Sequence, residues 1–98
     1  MKVKRMHFVC HSFANFRERD DGKFSSGFWD VSFDAAGSVE TIYLHESRST
    51  PAYWVGKVLE FHPAEWNGGQ RVVFICEKSE AIGQSWEGGA TGEKGYGY

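Results

Sequence analysis

Two apolar runs near the middle of the chain flank a polar insert closed by Thr50-Pro51; the first of them alternates, and the remaining segments read as additions to this stretch. In residues 39–45 (VETIYLH), Val39, Thr41, Tyr43 and His45 share one face while Glu40, Ile42 and Leu44 share the other, which is the period of a strand. Ile42 and Leu44 are expected to point into the core. The second run covers residues 55–61. Trp54, Val58 and Phe61 also suit a helical stripe there, with Thr50 as N-cap and Pro51 as the first helical residue. Gly56 and the β-branched Val55 and Val58 disfavour a long helix. The pattern therefore predicts one helical turn over 51–54 that feeds a strand over 55–61, with Gly56 marking a bulge or a close backbone approach. Pro51 biases Thr50 toward an extended entry into that turn.

Residues 1–10 predict a first strand, with Met6, Phe8 and Cys10 on one face and His7, Val9 and His11 on the other. Both faces carry apolar weight, which predicts a central place in a sheet. Phe13 and Phe16, three apart, predict one or two helical turns, and residues 17–23 (RERDDGK) a solvated, mobile turn around Asp21-Gly22. Residues 27–33 (GFWDVSF) alternate again, and Asp34-Ala35-Ala36-Gly37 predicts a hairpin turn pairing them with 39–45. Residues 62–69 (HPAEWNGG) break the pattern and predict a loop. Residues 71–77 (RVVFICE) predict a strand buried on both faces. The fold class expected is α+β: a single β-rich domain over residues 1–87, with a curved antiparallel or mixed sheet of about five strands and one or two short helices. Residues 88–98 form a glycine-rich tail, either free or pinned by Trp86, Tyr96 and Tyr98.

Composition supports the strands. Eight Phe, four Tyr and four Trp favour pleated, half-buried surfaces, and twelve Gly with two Pro supply the turns. Ninety-eight residues suit one domain, which buries roughly two thirds of its unfolded surface. A net charge of −2 gives no long-range pull toward a phosphate backbone. Lys2, Lys4 and Arg5 form the one basic cluster and read as a solvated arm. No apolar stretch approaches the roughly 18 residues of a membrane span, and the N-terminus lacks a signal peptide's apolar region. A cytoplasmic location without membrane contact is the expectation, with Cys10 and Cys76 fitting reduced thiols in the core better than a disulfide framework, while their separation neither requires nor excludes a bridge.

The candidate chemistry lies in the aromatics and one polar loop. Trp54, Trp29 and Trp86 are candidates to stack on a ligand, and His45, Ser47 and Arg48 to orient it from a loop held by a rigid scaffold. The alternative is that the tryptophans, Trp66 included, plug the ends of the fold or form a protein interface. His7, Cys10, His11 and Cys76 have soft-metal chemistry, but on a strand Cys10 points away from His7 and His11. No metal and no cofactor are expected. Cys10 beside a histidine, or Ser47 beside His45, would supply a nucleophile and base, yet neither stands in a nucleophile-elbow pattern. Residues 88–95 lack the Gly-Lys-Ser/Thr ending of a phosphate loop, and Glu93 and Lys94 are left as candidates for a lid.

Three segments, HFVCHSF, IYLHESRSTPAYWVGKVLEF and RVVFICE, resemble in their order the PUA-like superfamily of small β-barrels, which includes the EVE, YTH and ASCH domains. Within the middle segment, Gly56-Lys57-Val58 matches the glycine-containing strand that follows a polar insert in those families. The resemblance spans about half the chain. It implies a pseudo-barrel whose cleft takes a nucleobase, often a modified one, between aromatic side chains, each stack contributing on the order of 1–3 kcal/mol.

The function expected is noncatalytic recognition of a small aromatic or polar ligand, foremost a nucleobase or modified nucleotide, with single-stranded nucleic acid as a related partner. The alternative is a small interaction protein, a homodimer or an inhibitor of a partner enzyme, that uses exposed aromatics as its interface.

Overall fold

The computed structural model describes residues 2–88 and 94–98. Seven strands form one mixed sheet that does not close on itself: β1 (Arg5–Val9), β2 (Phe16–Glu18), β3 (Phe24–Trp29), β4 (Thr41–His45), β5 (Trp54–Trp66), β6 (Gly69–Lys78) and β7 (Lys94–Gly97). Their order across the sheet is β2-β3-β6-β5-β4-β1-β7. Among the described residues, only β1 and β4 run parallel, and every other neighbouring pair is antiparallel. The sheet thus has two more strands than the alternation predicted, and its edges are β2 and β7 rather than the seam of a barrel. Among the described residues, no helix is long and apolar enough to cross a membrane.

The differences from expectation have local causes. Ser32 caps a short helix, α1 (Phe33–Ser38), by accepting a hydrogen bond from the Ala35 backbone N–H at 3.2 Å. The predicted 34–37 hairpin turn is therefore helical, and the chain leaving it cannot fold back beside β3. Instead β3 pairs with β2 and β6, and β4 pairs with β1 and β5. No helical turn forms over 51–54, because its amides are used elsewhere: Ala52 N–H bonds to Gln84 O and Tyr53 N–H to Leu44 O. Phe13 ends a single 3₁₀ turn (His11–Phe13), while Phe16 opens β2 rather than continuing a helix. Residues 62–69 are no loop. They carry β5 through Pro63 to a two-residue turn at Asn67-Gly68, where φ is 51° and 79°, as a hairpin of this length requires.

Strands are present within the stretches predicted at 39–45, 55–61 and 71–77, and β1 is paired on both sides, between β4 and the edge strand β7, one place from the edge rather than at the centre of the sheet. Gly56 marks a close approach: a Cβ there would lie 2.4 Å from the Trp54 ring and 2.9 Å from Cys76 Cβ. The bulge itself falls two residues later, between Val58 and Glu60. Met6, Phe8, Ile42, Leu44, Val72, Phe74 and Cys76 are wholly buried and form the centre of the core. Each such side chain contributes about 1.5–3 kcal/mol of apolar burial. The pairing Met6 with Ile42 and Phe8 with Leu44 puts one face of β1 and β4 into this core. The opposite face of the same two strands carries His7, Tyr43 and His45.

Candidate functional site

The predicted ligand-binding residues separate into three places. Trp54 is buried at 4% exposure, edge-on to Phe16 and Phe24, so it packs the core and offers no face to a ligand. Trp29 stacks on Phe8 with ring centroids 4.1 Å apart and donates its indole N–H to Ser26 Oγ at 3.0 Å. Trp86 lies on the far side of β1 and β4, edge-on to His45 at 5.1 Å, and lines a shallow depression with Arg48 and Pro51. Ser47 is spent within its own turn, bonding to Ser49 and Thr50. His45, Arg48 and Trp86 are therefore brought to one side, and Trp29 is not with them.

A cleft of about 700 Å³ lies beside Trp29, within the size range of small-molecule sites. Its floor is Phe8 and Trp29, and one wall is Phe28 stacked on Trp66 at 4.9 Å. Trp66 reaches this wall because the long β5 carries it to the hairpin tip, where it remains 43% exposed. The polar rim is formed by Asp30, Arg71 and Lys94. Arg71 Nη1 lies 3.9 Å from the Asp30 carboxylate, and Lys94 Nζ donates to the Asp30 backbone carbonyl. Two cations against one carboxylate leave this rim positive. Sequence reasoning noted Trp66 and Lys94 only in passing and missed Phe28 and Arg71. The available signal was Asn67-Gly68, which identifies residues 54–78 as one hairpin and so brings Trp66 near Arg71.

The second polar centre is a chain of hydrogen bonds across β1 and β4. His45 Nδ1 lies 2.8 Å from Thr50 O, His45 Nε2 lies 2.8 Å from His7 Nδ1, and His7 Nε2 lies 2.9 Å from Glu87 Oε1. Arg5 closes the chain with a two-pronged pair to Glu87, at 2.7 and 3.0 Å. Both histidines are buried, and the His7 ring stacks on Tyr43 at 4.3 Å. The bond from Arg5 is the main cause holding the Glu87 carboxyl down at about 2, with that from His7 assisting. His7 is lowered, chiefly by burial; its bond to Glu87 pushes it back up, and charge on His45 or Arg5 pushes it down.

These contacts decide the catalytic alternatives. Both His45 ring nitrogens are bonded, to His7 and to Thr50, and neither is bonded to Ser47. Cys10 is buried, donates to Ala14 O, and has its thiol pushed up by burial. Burial likewise pushes Cys76 up to about 12. Both cysteines are free thiols. Among the described residues, no three or more His, Cys, Asp or Glu side chains converge as a metal site would need. The phosphate-loop and lid candidates fall largely on 89–93, outside the described residues. No family model, curated protein or solved structure matches the chain.

Proposed function

We propose that this chain is a noncatalytic binding module that takes a small flat ligand, foremost a nucleobase or nucleotide, in the cleft beside Trp29. The observation that carries the reading is the pairing of an aromatic wall and floor, Phe28, Trp66 and Trp29, with a positive rim from Arg71 and Lys94. An aromatic face stacks on any base, and the rim suits an anionic substituent at the edge of the same cavity. The resemblance of three segments to the PUA-like superfamily implies a ligand of the same kind. Trp54 has no part in this site, and Trp86 belongs to the separate depression near Arg48.

The test is tryptophan fluorescence during titration with nucleosides, nucleotides and short single strands at low and moderate salt. Saturable quenching by one base type is expected, and Trp66→Ala should weaken it roughly 5- to 150-fold, the loss of one stack. Equal affinity in wild type and Trp66→Ala would overturn the site, and no response to any ligand would overturn the function. A second reading is the small interaction protein, supported by β2 and β7 standing at the two edges of the sheet among the described residues, since an unpaired strand edge is a template for another chain. A mass of one chain by light scattering at micromolar concentration would remove its homodimer form.

A further inference from the structure

The bonds around His7 and His45 contain a proton count. Thr50 O can only accept, so His45 Nδ1 must carry a hydrogen. The Glu87 carboxylate, held at about 2, also only accepts near neutral pH, so His7 Nε2 must carry one as well. The 2.8 Å contact between His7 Nδ1 and His45 Nε2 needs a third hydrogen between them. Two neutral imidazoles bring two hydrogens. Three are required, so the geometry is that of a pair holding one extra proton. Without it, two lone pairs face each other at 2.8 Å, or one faces Thr50 O or the carboxylate, and a contact must lengthen.

We propose that His7 and His45 jointly bind one proton, and that this proton fastens Glu87, and with it the C-terminal strand, onto β1. The segment carrying Glu87 lies directly on β7: a Cβ on Gly95 would collide with Glu87 O, and one on Gly97 would lie 2.6 Å from Glu87 Oε1. The alternating glycines of Lys94-Gly95-Tyr96-Gly97 thus make the bed on which residues 86–88 rest. Gly95 is the partner of His7 in the β1–β7 pairing. Glu87, β7 and His7 therefore form one packed unit, which closes or opens together.

The charged and titratable neighbours agree on the direction. Arg5 on β1 disfavours charge on His7, Tyr43 on β4 is itself pushed up by burial, Glu40 acts on Arg5, and β7 sets only Gly95 opposite His7. Glu87 is the one neighbour that raises His7. Detaching residues 86–88 removes that support and relieves the burial that lowers His7, two opposing effects; what couples the proton to the segment is the count, because with His7 Nε2 facing water two hydrogens satisfy the remaining contacts and the third is no longer required. Against the fully unfolded chain the sign is opposite, because burial lowers His7 and the unfolded histidine binds the proton more readily. Acid therefore closes this clasp locally while it lowers the His7 contribution to global stability, both below the ordinary histidine value of 6.5.

The experiment is NMR on the full chain from pH 7.5 to 5. Imidazole ¹⁵N shifts of His7 and His45 should change together with the uptake of a single proton. Amide exchange in β7, corrected for its intrinsic pH dependence and referenced to the β5–β6 hairpin, should slow several-fold as pH falls through the window. In Glu87→Gln, an amide N–H turned toward His7 Nε2 lets two neutral rings satisfy the contacts from Thr50 through His45 and His7, at the loss of the Arg5 Nε bond to that same position; joint proton uptake and the β7 slope should both vanish while the hairpin stays protected. Independent titration of the two histidines, or a β7 slope that is absent, reversed or unchanged in Glu87→Gln, would overturn the proposal. The ¹⁵N result in the wild type stands even if the variant does not fold.

Discussion

The two faces of the β1–β4 pair are built from the same strands and held by different physics. On one face Met6, Phe8, Ile42 and Leu44 join a wholly buried apolar core, where contacts are nondirectional and each side chain touches many others. On the other, His7 and His45 are just as buried, yet their place depends on three hydrogen bonds with fixed directions. The first face responds to lost volume. The second responds to lost partners and to pH, so the same depth of burial carries two different sensitivities.

The largest effect expected from that difference is on the apolar face. Phe8→Ala removes a ring stacked on Trp29 and tilted against Phe74, and should lower unfolding free energy by about 3–5 kcal/mol in urea melts, at any pH. Trp54→Ala should cost a similar amount, about 3–5 kcal/mol, because its ring is core. A stability loss under about 1 kcal/mol for Trp54→Ala would return it to the ligand-facing set, since buried aromatics do not leave so cheaply.

On the polar face, His45→Leu keeps most of the volume but strands Thr50 O and one His7 nitrogen. It should cost about 1–3 kcal/mol, less than Phe8→Ala. If the double variant His7→Phe, His45→Leu is more stable than His45→Leu alone, the loss lies in unpaired groups rather than in shape. The smallest expected effect is that of Glu87→Gln, read as a difference in melting temperature from wild type. Because Glu87 is held at about 2 in the fold against an ordinary 4.5, its contribution is complete above 4.5 and disappears as pH falls toward 2. The wild-type advantage should shrink over that interval, and its persistence at pH 2 would show that the carboxylate charge contributes nothing.

Much of the apolar face was legible in the chain. Alternation located β1 and β4, since a period of two survives whatever the partner strand is, while the first half of β5 was read from Gly56 and its β-branched neighbours and most of β6 from a short apolar run. The pairing was less legible. His7 and His45 are 38 positions apart and meet only because β1 and β4 run parallel, an arrangement no local signal encodes. Glu87, 80 positions from His7, was not singled out because a lone carboxylate in a glycine-rich segment looks like surface. The hairpin tip was lost for another reason. Pro63 argues against a strand interior, but here it sits opposite Val72, and Asn67-Gly68 four residues on was the stronger signal. Asp34-Ala35-Ala36-Gly37 misled because Ser32, just upstream, turns the same residues into a helix.

The place of β1 in the sheet bears on the order in which the chain can assemble. Residues 54–78 form a hairpin whose two strands are joined by two residues, so it can close as soon as it exists. The strand that comes first in the sequence must wait for Thr41–His45 on one side and Lys94–Gly97 on the other. During synthesis, β1 would emerge as an apolar ribbon with both edges bare, and its second edge would stay bare until residues 94–97 were made. A nascent chain stalled before residue 94 should therefore be the form that seeks other strands, and the one a holding chaperone would retain longest.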